Sequence, residues 1–184
     1  MIYPVTVFGD PILRKIATPV SAEFKDLKGF IQNMFETMYN SDGVGLAAPQ
    51  VGQSIRVFIL DTIFDDEDEE PIGIKRAFIN PEIIEKYGEE WSMNEGCLSV
   101  PEIREDVFRP QSVRIKYQDE KFGDHEESFN GFTARVIQHE YDHLEGIMFV
   151  DYLKPLKKRM LKSKLTAISK GKVIPKYKIK IPGR

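Results

Sequence analysis

His139-Glu140-Tyr141-Asp142-His143 fits the pattern H-E-x-x-H. On a helix, residues four apart lie about 40° apart in angle and one turn apart in height. Two imidazoles so placed reach one metal ion, and the intervening glutamate projects beside them as a proton carrier. A divalent ion acidifies a water it binds and polarises a carbonyl, so the chemistry indicated is hydrolysis. The alternative is a helix carrying two satisfied surface histidines.

A catalytic ion normally has three protein ligands and one open position. Peptidases built on H-E-x-x-H take their third ligand, a His or Glu, from downstream. Downstream of His143 there is no further His, and the nearby acids are Glu145, which falls on another face, and Asp151. Upstream, Cys97 sits in Glu95-Gly96-Cys97-Leu98-Ser99-Val100-Pro101. A lone Cys is usually a small buried hydrophobe. Beside a motif that lacks its third ligand, Cys97 becomes the candidate, giving a Cys97, His139, His143 set. His125 is expected in an exposed turn beside Asp124, outside the site. A thiolate with two imidazoles suits zinc or iron(II).

These residues need a scaffold. Phe24, Leu27, Phe30, Ile31, Met34, Phe35 and Met38 recur at helical spacing and predict an amphipathic core helix over 24–38. Residues 43–52, GVGLAAPQVG, read as a glycine-rich loop, and 55–61 as a β-branched strand. Residues 78–88 read as one or two strands broken at Asn80-Pro81. Residues 112–118 and 126–131 form a hairpin closed around 121–124. Phe132 to Leu144 is helical, with Asn130 as N-cap and Gly146 as stop. A basic helix over about 156–170 ends at Gly171, and 174–181 adds a terminal strand. The expected class is α+β: a central H-E-x-x-H helix packed among mostly antiparallel strands, between an N-terminal amphipathic helix and a C-terminal basic one.

The chain's 184 residues, 41% hydrophobic and 30% charged, suit a single domain, 1–184, with 151–184 as a basic extension. Twelve of the 26 Lys and Arg residues follow Asp151, where no acid occurs. The body is therefore near −15 and the tail near +12 within a net −3. Such asymmetry indicates either a polyanionic partner or a solvated basic surface. The acidic run 65–70, DDEDEE, is expected to be a solvated loop. One cysteine excludes an intrachain disulfide, the first residues lack the basic and apolar regions of a signal peptide, and no apolar run reaches membrane-spanning length. The expectation is a cytoplasmic protein that uses no membrane and has no stable partner implied.

Three stretches, Gly43-Val44-Gly45-Leu46-Ala47-Ala48-Pro49-Gln50, Glu95-Gly96-Cys97-Leu98-Ser99 and Gln138-His139-Glu140-Tyr141-Asp142-His143-Leu144, together resemble the signature motifs of the peptide deformylase family, in the same order. The resemblance runs from about Val7 to Leu153, with 62–73 an apparent insertion. It implies removal of the formyl group from the N-terminal formylmethionine of newly made polypeptides, with release of formate. It assigns oxyanion stabilisation to the Gln50 side-chain amide and the Leu98 backbone N–H, and base catalysis to Glu140. It places the Gly45 backbone against the substrate peptide, and builds the methionine pocket from Val44, Met93, Phe132, Val136 and the His139 ring. Arg104 is either a donor to a substrate carbonyl or a surface arginine. Glu95 and Arg109 are candidates for a pair bracing the Cys97 loop. The resemblance favours Fe(II) in the cell, with Zn, Ni or Co able to replace it, and its relatives suggest ribosome contact through the basic tail. Two other readings stand beside it: a metallopeptidase of the H-E-x-x-H type, and a non-catalytic metal-binding module with a nucleic-acid-binding tail.

Overall fold

Strand pairing decides most of the architecture. The computed structural model describes residues 1–63 and 73–183, so the acidic run 65–70 and most of the 62–73 insertion lie outside the described residues. The strands are β1 (Val5–Thr6), β2 (Gly45–Ala47), β3 (Val57–Asp61), β4 (Lys75–Cys97), β5 (Val100–Gln118), β6 (Asp124–Asn130) and β7 (Ile179–Lys180). β2 to β6 form one antiparallel sheet in chain order, while β1 and β7 pair in parallel. With helices α1 (Leu27–Asn40), α2 (Gly131–Leu144) and α3 (Pro155–Ser169), the class is α+β with mostly antiparallel strands.

Helix α1 begins three residues later than the apolar spacing predicts. Asp26 caps it, accepting a hydrogen bond from Gly29 N at 3.1 Å, so Phe24 precedes the helix and still packs against its core cluster. The stretch 43–52 is not a loop throughout. Gly45–Ala47 pairs with β3, Gly45 opposite Leu60, and Ala48–Val51 winds into a 3-10 turn. Pairing with a strong β-branched strand overrides the weak local preference of Gly and Ala. Asn80-Pro81 bulges β4 without ending it, and the strand runs on to Cys97. His125 lies in β6 opposite Tyr117 and not in the turn; the turn is held by Asp119, which accepts from Lys121 N and Gly123 N.

Helix α2 is the buried centre. Ala134 to Glu140 and Asp142 to Leu144 are all buried, and Ala134, Val136, Ile137 and Leu144 pack with Phe58, Phe78, Val113 and Ile115 of the sheet. Asn130 occupies the N-cap position without a side-chain cap bond, and Gly146 takes φ +70, a conformation other residues rarely adopt, just past the end. Helix α3 docks through Leu161 and Ile168 alone among its fully buried residues. Leu156 and Met160 on the same helix are 72% and 67% exposed. Among the described residues no helix is long and apolar enough to cross a membrane.

Candidate metal centre

Two elements deliver the metal-ligating residue types. β4 ends at Cys97, opposite Val100, with Leu98-Ser99 as the two-residue turn into β5. α2 presents His139 and His143 one turn apart on the face that meets this turn. The ligand atoms of Cys97, His139 and His143 all lie within 4.8 Å of one another, with Cys97 Sγ 3.3 Å from His143 Nε2. His139 Nδ1 is 3.0 Å from Glu95 Oε2, so Nδ1 carries the proton and Nε2 keeps its lone pair for the cluster. One sulfur and one free ring nitrogen from each of two imidazoles form the donor set of a three-ligand site, so the residues fit a single transition-metal ion. Asp151 contributes nothing to it: its carboxylate binds Arg14 at 2.5 Å and Met148 N at 2.8 Å. Glu145 is taken by Arg56 at 2.8 Å.

Burial and charge set the electrostatics. For His143, burial and the neighbouring His139 push the pKa well below the ordinary value. For His139, burial pulls the same way, but hydrogen bonds to Cys97 and Glu95 prevail and raise it well above. A bound cation would take the place of that proton. Glu140 is buried, and burial pushes its carboxyl up to about 7. Its Oε2 has no hydrogen-bond partner among the described residues.

Beneath the ligands lies a buried ionic network. Arg109 forks onto Glu95, with Nε to Oε1 at 2.8 Å and Nη2 to Oε2 at 3.0 Å, and reaches Asp142 Oδ2 at 2.6 Å. Arg135 adds a bond to Glu95 Oε1 at 2.9 Å. Two carboxylates and two guanidiniums balance in charge. Burial works to raise Glu95, yet His139 and Arg109 hold it well below the usual carboxylate range. Glu95 and Arg109 were paired on sequence grounds; Arg135 and Asp142 were not. Their signal was their spacing, four before and three after His139, which puts them on its face of α2.

Gln50 enters from the 3-10 turn after β2. Its Oε1 accepts from Ala47 N at 2.8 Å, and its Nε2 lies 3.2 Å from Ser99 Oγ and 3.5 Å from Cys97 Sγ. Ser99, quoted in the second motif without a role, is the residue that fixes this amide. Gly45 packs directly on Glu140. A cavity of about 770 Å³ opens onto the cluster, lined by Val44, Gly45, Gln50, Met93, Cys97, Leu98, Arg104, Phe132, Val136, His139 and Glu140. Arg104 is pinned to Asn94 through Nε at 3.0 Å and Nη2 at 2.8 Å, with Nη1 over Gly96. His125 is remote from this set, 3.0 Å from Asp119.

A family model described as polypeptide deformylase matches residues 2–159. The peptide deformylase of Cytophaga hutchinsonii is 52% identical, the match covering 99% of this chain and 98% of the relative. That of Christiangramia forsetii is 50% identical over 99% of this chain and 97% of its own. The crystal structure of a peptide deformylase from Legionella pneumophila superposes with a TM-score of 0.81 at 39% identity, covering 94% of this chain and 98% of that one.

Proposed function

The chain belongs to the polypeptide deformylase family, metal-dependent hydrolases that remove the formyl group from N-terminal formylmethionine, and from that premise we propose how its own residues divide the work. Cys97, His139 and His143 hold one divalent ion, Fe(II) in the cell, with Zn, Ni or Co able to occupy the same donors. When bound, the ion supplies Lewis-acid chemistry, acidifying water and polarising the formyl carbonyl. Glu140 accepts the proton of the attacking water and passes it to the leaving amine; the unpartnered Oε2 beside the cluster supports this role. The Gln50 amide and the Leu98 N–H donate to the oxygen as it becomes an oxyanion. Preorganised donors of this kind contribute about 2.7–4 kcal/mol each.

The observation that carries this reading is the gathering of three soft and borderline ligand atoms within 4.8 Å at the head of a cavity with apolar walls. Val44, Met93, Phe132 and Val136 receive the methionine side chain. Gly45 presents backbone to the peptide as an edge strand would, and Arg104 Nη1 serves a substrate carbonyl. The substrate is a nascent formylmethionyl polypeptide, and the location proposed with it is the cytoplasm. The test is formate release from formyl-Met-Ala set against acetyl-Met-Ala and an internal Met-Ala bond. Formate from the first alone supports the assignment. Cleavage of the internal bond supports a metallopeptidase, and inertness toward all three supports a non-catalytic metal module.

A second proposal concerns the basic tail. Lys157 and Lys158 are tied to the body, Lys157 Nζ 3.0 Å from Glu105 and Lys158 Nζ 2.7 Å from Asp151 O. Arg159, Lys162, Lys170 and Lys172 instead line a groove of about 570 Å³ along α3 and just past its end. These four cations support salt-sensitive contact with ribosomal RNA phosphates. Co-sedimentation with ribosomes should fall for their joint change to Glu and at raised salt; equal binding by both proteins contradicts it.

A further inference from the structure

The family match ends at residue 159, yet the chain beyond it still borders the active-site cavity. After α3 the backbone turns at Gly171, bends at Lys176–Tyr177 and ends in β7. Val173 and Ile179 pack against the core cluster around Val7 and Val100. β7 is fastened to the N-terminal segment by Val5 N to Lys178 O at 2.8 Å and Val7 N to Lys180 O at 3.2 Å. Between these anchors, Ile174, Pro175, Lys176 and Tyr177 form part of the cavity wall. Tyr177 Oη donates to the Leu98 carbonyl at 2.8 Å, which ties the segment to the turn that carries the proposed oxyanion donor.

The cavity has a buried end and an open rim. Val136 and His139 lie at the buried end, while Ile174 is 84% exposed. If formylmethionine occupies the buried end, the residues behind it must cross the rim. An extended peptide advances about 3.3–3.6 Å per residue and turns alternate side chains to opposite sides. The 174–177 wall borders the same cavity those side chains cross. The charged rim residues Asp42, Glu102, Arg104 and Lys176 balance in sign, so the contact available to a neutral side chain there is apolar.

We propose that Ile174, latched in place by Tyr177, forms an apolar subsite for a side chain one or two residues behind the formylmethionine. The subsite makes the residues after methionine a determinant of turnover. It rests on the deformylase reading and adds a specificity element from a part of the chain outside the family match. Neither Ile174 nor Tyr177 touches the reacting atoms; Ile174 acts on specificity and Tyr177 positions it.

The experiment compares kcat/KM for formate release from formyl-Met-Xaa-Ser and formyl-Met-Ala-Xaa, with Xaa either Leu or Ser. Wild type should favour Leu by roughly 3–10-fold at one of the two positions, the range expected of a partly exposed apolar contact. Ile174→Ser should bring that ratio near unity, and Tyr177→Phe should lower it in part. Met160→Ser, on the exposed face of α3, should leave it intact. A wild-type ratio near unity at both positions, or one that survives Ile174→Ser, overturns the subsite. A ratio that Tyr177→Phe leaves untouched overturns the latch. Wild type that releases formate from none of the peptides fails the deformylase reading itself, whereas turnover with an unmoved ratio fails the subsite alone.

Discussion

A Cβ on residue 45 would stand 2.5 Å from Glu140 Oε1 and 2.8 Å from its Cγ. Real Cβ atoms do not approach so closely, so the glycine is there to let strand β2 lie flat on the carboxylate. Its backbone is ordinary strand, and its lack of a side chain, not any unusual dihedral, is what the site uses.

Gly45→Ala should therefore displace the Glu140 carboxylate while leaving the three proposed metal ligands alone. Misplacing a catalytic group by about 1 Å costs on the order of 10²-fold. The expected result is full metal content with kcat reduced by roughly 10- to 100-fold. Added to Glu140→Ala, the same change should cost little more, because both act through one group. Additive losses in that double variant would detach Gly45 from Glu140.

Glu140→Ala should keep its metal and lose formate release by at least about 10²-fold, the usual loss for a general base. Metal analysis and a formate assay on one preparation check both halves. Arrival of the variant without metal would make Glu140 a ligand or a structural brace.

Gln50→Ala removes an amide whose oxygen is held by Ala47 N and whose nitrogen is aimed by Ser99. The bond proposed for it to substrate strengthens as charge develops, so kcat should fall more than KM rises. Steady-state kinetics on formyl-Met-Ala separates the two. An unchanged kcat would reduce Gln50 to a turn-stabilising residue.

How much of this was visible beforehand differs by element. The 3.6-residue pattern exposed α1 and α2, and the H-E-x-x-H spacing needed only a helix to bring two imidazoles together. The extent of β5 was hidden. Before residue 112 its buried positions are Val100, Pro101, Ile103, Val107 and Arg109, and a proline and an arginine on the inward face mask the alternation. Arg109 is inward because Glu95 and Asp142 meet it there, a pairing across 14 and 33 residues that no local window contains. The same limit hid Tyr177, whose bond to Leu98 spans 79 residues. The Gly45 stretch resembled a loop because glycine's close-approach role and its turn role look identical in one dimension.

Arg109→Met should leave Glu95 and Asp142 buried without their cation. Breaking a buried pair from one side costs about 3–5 kcal/mol, or roughly 6–20 °C in Tm for a chain of this size. Arg114→Ala breaks pairs that are about half exposed and should cost no more than about 1 kcal/mol. Thermal unfolding of the two variants measures the contrast. Equal Tm values would show that the network under His139 contributes no more than a surface pair.

The central claim is that Cys97, His139 and His143 hold the ion that hydrolysis requires. Its most direct test is metal content per chain of wild type and Cys97→Ala, both purified without oxygen, alongside formate release from formyl-Met-Ala. The account expects about one ion per chain in wild type, little in Cys97→Ala, and activity that a chelator abolishes and Fe(II) restores in wild type only. Cys97→Ala that retains its full complement of metal would contradict it.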